Sequence, residues 1–342
     1  MGEEGWLGAS RAFHGTAHDR EVAPMSQVGL DSQRRLLALC AMRVEGSGID
    51  WSLIAREAQT LDGLDSLWRG HINESSRAAE SSREVLRRGL SDADSAFERV
   101  DVELAAAEDV GAQLITVLDR GYPANLRLIP NLPPFLFIRG ALVDEDVRSV
   151  AVVGTRQPSD VGIKAATKMA ALLAEQSVTV ISGLARGIDT AAHRAALDAG
   201  GRTIAVIGTG ITQCYPQENV SLSEEIHLQG AIVSQFWPTR SAGRDTFPRR
   251  NVVTSGLSQG TVVIEASSTS GAKMQARLAL EHGKKVFLIH SLVTSQPWAQ
   301  NYVAKRGAIE VHSVNEVISD IAPSDRVRRA GEQRQQLSFA IL

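Results

Sequence analysis

Glycine and basic residues follow a short apolar run near the middle of the chain, and together they could bind an anion. The turn Gly154-Thr155-Arg156 comes directly after the β-branched run Val150–Val153. Glycine permits a tight turn, and a guanidinium can hold a phosphate through two hydrogen bonds. Ser159 or Asp160 could cap a helix beginning near Val161, whose first N–H groups lack partners and attract anions. The segment predicts a phosphate site, although an ordinary strand-to-helix connection with a surface arginine explains it equally well.

Similar polar segments follow four further apolar runs. They comprise Ser182, Gly183 and Arg186 after the second run, Gly208 and Gly210 after the third, Phe247, Arg249, Arg250 and Asn251 after the fourth, and Ser270, Gly271 and Lys273 after the fifth. In an open parallel sheet, ligands bind beyond the carboxyl ends of the strands. Basic side chains, glycine turns and an aromatic ring suit an extended phosphodiester chain with stacked bases. We interpret Arg249 and Arg250, in a loop that leads into the next strand, as ligand-binding residues; a solvated basic loop is the alternative.

Other catalytic and cofactor chemistries lack their sequence signatures. A dinucleotide site needs Gly-x-Gly-x-x-Gly after the first strand and an acid after the second, whereas this chain has Gly-Thr-Arg-Gln-Pro-Ser and then Ser182-Gly183. No P-loop, Ser/His/Asp set or Glu-x-x-His pair is recognisable, and His193 and His290 are interpreted as packing residues. The two cysteines, Cys40 and Cys214, are too few for a disulfide framework or a zinc site. We therefore predict no catalytic residue, no cofactor and no metal.

Apolar runs and helical segments alternate from residue 150 onward, which predicts an α/β fold. The predicted strands are 113–118, 135–138, 150–153, 178–181, 203–207, 231–235, 261–265, 285–289 and 308–311, and the helices between the later strands are 163–175, 190–199, 221–228, 272–281 and 300–306. Such alternation is typical of right-handed βαβ units. We expect an extended Rossmann-like, doubly wound and mainly parallel sheet, preceded by a small helical domain.

The 342-residue chain is long enough for more than one domain. We predict a disordered N-terminus at 1–28, a helical domain at 29–110 whose residues 73–110 form solvent-facing helices, a Rossmann-like domain at 111–320 and a basic tail at 321–342. The charge is uneven, because residues 1–149 carry −8 and residues 150–320 carry +3. An anionic ligand is therefore expected on the later part. Without a signal peptide or an apolar run of bilayer length, a soluble cytoplasmic protein is expected.

The motifs on this rim resemble those of the DprA/Smf family. The segments Val150–Arg156, Ser182–Asp189, Phe247–Asn251 and Glu265–Gly271 stand in that family's order and spacing, and Tyr122-Pro123, Pro133–Gly140, Tyr215-Pro216 and Ala276–Glu281 extend the match over about residues 110–312. The resemblance implies a dimeric protein that binds single-stranded DNA without hydrolysis and helps to load a RecA-type recombinase during transformation. It also implies that Arg156 holds phosphate from the first turn. Ser182, Gly183 and Arg186 would line the second turn, and Arg249, Arg250 and Asn251 would form the basic rim.

The chain departs from the family pattern at several positions. Val252 and Val220 stand where the family usually has basic residues, Lys273 stands in a segment that is usually apolar and small, and His290-Ser291 replaces a Pro-Gly pair. No winged-helix domain is expected after the sheet. These departures predict an altered DNA path, and a diverged member could instead serve as a DNA sensor in a defence locus, with a neighbouring-gene protein as its partner.

Two other classes of function stay open from the sequence. Phosphoribohydrolases share this Rossmann variant and carry Pro-Gly-Gly-x-Gly-Thr-x-x-Glu, which the segment Gly256–Glu265 imitates without the paired glycines. Glu265 would be a catalytic acid in such an enzyme, whereas the plainer interpretation is a glutamate that binds backbone N–H groups. A scaffold that binds a partner through the acidic helical part is the third possibility.

Overall fold

A computed structural model describes residues 27–323, 325–327, 329, 330 and 333. The helical part contains α1 (Gln27–Ala41), the hairpin strands β1 (Arg43–Val44) and β2 (Ser47–Gly48), and the helices α2 (Trp51–Ala58), α3 (Gly63–Trp68), α4 (Arg77–Gly89) and α5 (Ala93–Glu108). The predictions for residues 1–26 and for most of the tail after 323 lie outside the described residues. The predicted domain boundary near residue 110 stays a prediction.

A nine-stranded sheet follows, and it confirms the predicted α/β fold class. Its strands are β3 (Gln113–Thr116), β4 (Phe135–Gly140), β5 (Ser149–Val153), β6 (Thr179–Ser182), β7 (Thr203–Val206), β8 (Ala231–Ser234), β9 (Gly260–Val263), β10 (Lys285–Ile289) and β11 (Ile309–Val311). The strand order is β11-β10-β9-β5-β6-β7-β8-β4-β3. All neighbours are parallel except the β8–β4 and β4–β3 pairs. The order reverses beside β5, where α/β sheets place their ligands.

The helices between these strands are α6 (Ala124–Arg127), α7 (Asp160–Glu175), α8 (Ile188–Asp198), α9 (Val220–Gln229), α10 (Thr246–Leu257), α11 (Gly271–Glu281), α12 (His290–Ser295) and α13 (Pro297–Arg306), and α14 (Val314–Asp320) follows β11. The interpretation of residues 247–251 as a loop is wrong, because they form the first turns of α10. Pro248 is tolerated there since the first N–H groups of a helix have no intrahelical partner.

The two faces of the sheet contribute to separate apolar clusters. On one face Val150, Val152 and Val180 pack with residues of α7 and α8. On the other, Ala151 and Ile204 belong to a larger cluster that continues into the helical part of the chain. The helices before the sheet and the sheet itself therefore share buried apolar side chains. Among the described residues, no helix combines the length and the apolar character needed to cross a membrane.

The prediction of solvent-facing helices at 73–110 is wrong for α5, which packs along α1. Ala96, Val100 and Ala107 on α5 are buried. Glu103 is also buried, and its carboxylate accepts hydrogen bonds from the backbone N–H and the hydroxyl of Thr239, at 3.0 and 2.9 Å. This contact links α5 to the segment that follows β8, because Thr239 supplies two donors to the buried carboxylate of Glu103.

His193 lies fully buried in α8, as the packing interpretation expects. Its Nδ1 is 2.7 Å from the hydroxyl of Thr203, and that hydroxyl donates its single proton to the carbonyl of Val180. Nδ1 must therefore carry the proton and donate it. Nε2 is buried without a partner among the described residues. Burial, and to a lesser degree the charge of Arg250, lowers the pKa of His193 from 6.5 to about 3.

Acid should therefore destabilise the fold through His193. The unfolded chain takes up a proton near pH 6.5 whereas the folded ring does not until about pH 3. The contribution to stability is complete above pH 6.5 and falls by about 1.4 kcal/mol per pH unit as the pH drops between these values. Urea unfolding at several pH values should show a shallower acid dependence for His193→Gln than for the parent protein. Equal dependence in the two proteins would refute this account.

Candidate functional site

A cleft of about 510 Å³ opens at the carboxyl ends of β5, β6 and β9, beside the first turns of α10 and α11. Nine of the residues predicted for the site line it: Gly154, Thr155, Arg156, Gly183, Phe247, Arg250, Asn251, Ser270 and Gly271. Arg244 lines it as well, and so do Thr254 and Gln275, which no sequence motif singled out. The cleft therefore joins three strand ends and two helix N-termini that are distant in sequence.

Phe247 and Arg156 form the most distinctive contact of the cleft. The guanidinium carbon of Arg156 lies 5.0 Å from the centre of the Phe247 ring. The Tyr215 ring lies 5.9 Å from the Phe247 ring, on the side of the third turn. Gly208 makes room for this arrangement, since a Cβ there would lie 2.8 Å from Cδ1 of Phe247. Arg156 is exposed and has no ion pair among the described residues, so its charge is available to a ligand.

The N-terminus of α7 is already occupied by a carboxylate. Ser159 caps the helix as predicted, accepting from the N–H of Gly162 at 3.1 Å. Oε2 of Glu265 accepts from the N–H and the hydroxyl of Ser159, at 3.1 and 2.9 Å. A Cβ at Gly162 would lie 2.0 Å from this oxygen. The expectation of free N–H groups at this helix start is therefore wrong for Ser159, because Glu265 supplies the negative charge that a helix N-terminus attracts.

The N-terminus of α11, unlike that of α7, is open to a ligand. The hydroxyl of Ser270 accepts from the N–H of Ala272 at 3.1 Å. A Cβ at Gly271 would meet no atom within 4 Å. A ligand can approach the backbone closely at this point, where the positive end of an 11-residue helix faces the cleft. Lys273 does not line the cleft, because its ammonium donates to the carbonyl of Ser268 and lies 5.8 Å from the Trp298 ring.

Arg250 and Asp189 form the buried base of the cleft. Arg250 is 9% exposed and donates to the carbonyl of Val206 at 2.7 Å. Oδ2 of Asp189 accepts from the N–H groups of Gly183 and Ala185, at 3.1 and 3.4 Å. Burial raises the pKa of Asp189 and lowers that of Arg250, and the opposite charge of each partner counters both effects. Arg250 therefore lies beneath both the end of β7 and the second turn, where a Cβ at Gly183 would lie 1.7 Å from Nη1 of Arg250.

The sequence and the fold match one known family. A family model described as DNA recombination-mediator protein A covers residues 113–322, which is more than half of the chain. The chain belongs to the DNA recombination-mediator protein A family. Its motifs on the rim are therefore family motifs, and the cleft described above is formed by them.

Curated relatives in this family include Protein Smf of Synechocystis sp., 35% identical over 227 residues, and the DNA processing protein DprA of Streptococcus pneumoniae, 38% identical over 206 residues. These matches cover 65% and 60% of this chain, and 57% and 73% of the respective relatives. Protein Smf of Escherichia coli is 36% identical, over 66% of this chain and 61% of that relative. The chain thus spans less than two thirds of both Smf proteins.

Two solved structures of the family have a similar fold. The crystal structure of DprA from S. pneumoniae superposes with a TM-score of 0.61 at 30% identity, covering 86% of this chain and 95% of that one. DprA from Helicobacter pylori, a structure that addresses the single-stranded DNA binding mode of that protein, superposes with a TM-score of 0.55 at 23% identity. It covers 61% of this chain and 94% of that one, and at that identity the likeness concerns the fold.

Several family motif residues lie outside the cleft. The hydroxyl of Ser182 is buried and donates to the carbonyl of Val152 at 2.6 Å. Arg186 is exposed and pairs with Glu218 at 2.6 Å. Gly210 lets the chain pass the carbonyls of Trp237 and Pro238 closely. These residues shape the rim or lie along it, and their part in ligand binding stays a prediction.

Arg249 lies on the far side of α10 from Arg156, at the contact with the helical part. Its guanidinium carbon is 5.1 Å from the Trp51 ring and 5.4 Å from the Phe236 ring. Burial lowers the pKa of Arg43, and the like charges of Arg99 and then of Arg249 lower it further. The two neighbouring arginines of the motif thus differ, since Arg250 supports the cleft from below and Arg249 extends a basic surface toward α2.

Proposed function

We propose that this chain binds single-stranded DNA along the rim of its sheet, with Arg156 on a phosphate and Phe247 against a base. The observation that supports this proposal is the contact between these two residues. It lies in a cleft beside the N-termini of two helices. A cation–π pair at an exposed site stabilises by only about 0.5–1 kcal/mol. A base can therefore displace the guanidinium from the ring, and the guanidinium then reaches the neighbouring phosphate.

Unpaired bases fit this site better than a duplex. Stacking on an aromatic ring requires a base with a free face, which single strands offer and base pairs in a duplex do not. The Tyr215 ring continues the aromatic surface from Phe247, and the start of α11 supplies backbone N–H groups for a phosphate. The structure of the H. pylori relative, which addresses its single-stranded DNA binding mode, supports the same choice of ligand.

We infer a binding protein rather than an enzyme. Glu265 is the acid that a phosphoribohydrolase would use. Here its carboxylate accepts hydrogen bonds from the N–H and the hydroxyl of Ser159. The family description as a recombination mediator supports a role in which the protein presents the strand to a RecA-type recombinase. We infer that it protects the strand and acts there as a cytoplasmic homodimer. A sensor role in a defence locus would use the same cleft.

Binding to labelled oligothymidine, measured by fluorescence anisotropy, tests the proposal. We expect the parent protein to prefer single strands over duplex DNA of equal length. Arg156→Ala should weaken binding by about 10-fold or more, since a charge-assisted hydrogen bond contributes about 1.5–3 kcal/mol. Between about 50 and 200 mM salt, the slope of log affinity against log salt should become shallower by about 0.7 for the lost phosphate contact.

Arg277→Ala is the matched control, because Arg277 is an exposed arginine on α11 that pairs with Glu281. It removes the same charge from the protein and should change neither the affinity nor the salt slope appreciably. If both variants lose a similar amount of DNA affinity, binding depends on net charge alone. Equal affinity of Arg156→Ala and the parent protein would exclude this cleft as the DNA site.

A further inference from the structure

Two histidines and a glutamate meet at the carboxyl ends of the strands at one edge of the sheet. The parallel register that pairs Ile289 with Val311 brings the ends of β10 and β11 side by side. His290 follows β10 directly, and His312 follows β11. Glu310 and His312 are two residues apart along β11, so both side chains leave the strand on the same face.

The side chains of these residues form a compact group of potential ligand atoms. Nδ1 of His290 lies 2.5 Å from Oε1 of Glu310, and Nε2 of His312 lies 4.0 Å from the same oxygen. One ligand atom from each residue lies within 4.8 Å of the other two. The histidine rings have their centres 4.6 Å apart. Ligands of a tetrahedral zinc ion lie about 3.3 Å apart, given bond lengths of about 2.0–2.1 Å, so small rotamer changes suffice.

The cluster is accessible to an ion and partly held in place. The side chains of His290 and His312 are 54% and 62% exposed, and that of Glu310 is 29% exposed. The backbone N–H of His312 donates to Glu316 at 3.3 Å, which positions the turn after β11. A cleft of about 590 Å³, which Lys168 on α7 also lines, lies beside both histidines. This opening leaves room for a water molecule as the fourth ligand.

We propose that His290, Glu310 and His312 bind a divalent transition-metal ion of the zinc type. Two imidazoles and one carboxylate are a ligand set that zinc accepts with a water in the fourth position. The family resemblance implies Pro-Gly where this chain has His290-Ser291, so the site is a feature of this chain rather than of the motifs that form the DNA cleft. The prediction of no metal is replaced by this proposal, and the packing interpretation is wrong for His290.

The bound ion would connect the edge strand to its neighbour. β11 has three residues and pairs with β10. An ion bridging the ends of both strands would oppose fraying of this edge, and ligand binding to the folded state alone raises the melting temperature. The proposal does not depend on DNA binding, since these residues do not line the cleft at Arg156.

Metal titration of the chelator-treated full chain tests the site. We expect one equivalent of Zn²⁺ to bind in competition with a colorimetric indicator, and Co²⁺ to give the visible absorption of a four- or five-coordinate ion. Saturating Zn²⁺ should raise the melting temperature by a few degrees. His312→Ala and Glu310→Gln should each lower the Zn²⁺ affinity by at least about tenfold and reduce the thermal shift.

Two control variants separate this site from other histidines. His14 and His18 are four residues apart in sequence and lie outside the described residues. The double variant His14→Ala/His18→Ala should retain one equivalent of metal at the parent affinity, and so should His71→Ala, which removes an exposed histidine of the helical part. Absence of binding by the parent protein, or unchanged stoichiometry and affinity in His290→Ala/His312→Ala, would overturn the proposal.

Discussion

Replacing Phe247 with alanine should weaken binding to oligothymidine by about 5- to 150-fold, because stacking on an aromatic side chain contributes about 1–3 kcal/mol per base. The same substitution should leave binding to an abasic strand of equal length nearly unchanged. Arg156→Ala should weaken binding to both strands, since its contact is with phosphate. Anisotropy titrations of the two variants against the two strands separate the stacking contribution from the electrostatic one.

Phe247→Leu is the control for packing. Leucine keeps apolar contact with the surface that Gly208 leaves open for the ring, but it offers no aromatic face. Its thermal stability should be close to that of the parent protein while its affinity for oligothymidine falls nearly as far as that of Phe247→Ala. If Phe247→Leu binds oligothymidine as tightly as the parent protein does, the ring does not stack on a base.

Local patterns were sufficient to predict the parallel sheet. The runs at β5, β6 and β7 are apolar and β-branched, and each is buried on both faces, so that the pattern and the environment agree. The antiparallel attachment of β4 to β8 could not be predicted in the same way. This attachment depends on which edge of the sheet is free after the parallel units have formed. No local pattern in residues 135–140 indicates that edge.

Helix α10 shows where local rules fail. Pro248 and the β-branched Val252, Val253 and Thr254 favour an extended segment over a helix. The helix forms because tertiary packing outweighs these preferences. Val253 and Leu257 are buried, and α10 packs against α6 and α11. Arg250 is buried and Phe247 lies at the cleft, because the helical period places the two side chains on different sides of α10. A loop prediction for this segment carries no such periodicity.

The sequence indicates which residues lie near the cleft more readily than it indicates the contacts between them. Glycine and arginine at strand ends are visible in the sequence, and nine of the predicted residues line one cleft. The partner of Ser159 could not be predicted, because Glu265 is 106 residues away. The cluster of His290 and His312 could not be predicted for the same reason. These residues are separate in the sequence, and only the register of β10 and β11 brings them together.

Removing the charge of Asp189 should destabilise the fold by on the order of 3 kcal/mol, because Arg250 then remains buried with its positive charge uncompensated. Asp189→Asn keeps a carbonyl oxygen that can accept from the N–H groups of Gly183 and Ala185, so the variant isolates the charge. Urea unfolding at neutral pH measures the loss. Asp160→Asn, at an exposed position in the first turn of α7, should cost far less.

The double variant Asp189→Asn/Arg250→Met completes the test. Replacing the buried arginine with an unbranched apolar side chain removes the uncompensated charge, so the double variant should be more stable than Asp189→Asn alone. The two charges are independent if the double variant loses as much unfolding free energy as Asp189→Asn and Arg250→Met lose together when each is measured alone. The affinity of the double variant for single-stranded DNA also separates two roles of Arg250. An arginine that only supports the end of β7 through the carbonyl of Val206 affects binding less than Arg156 does. A direct phosphate ligand would affect it equally.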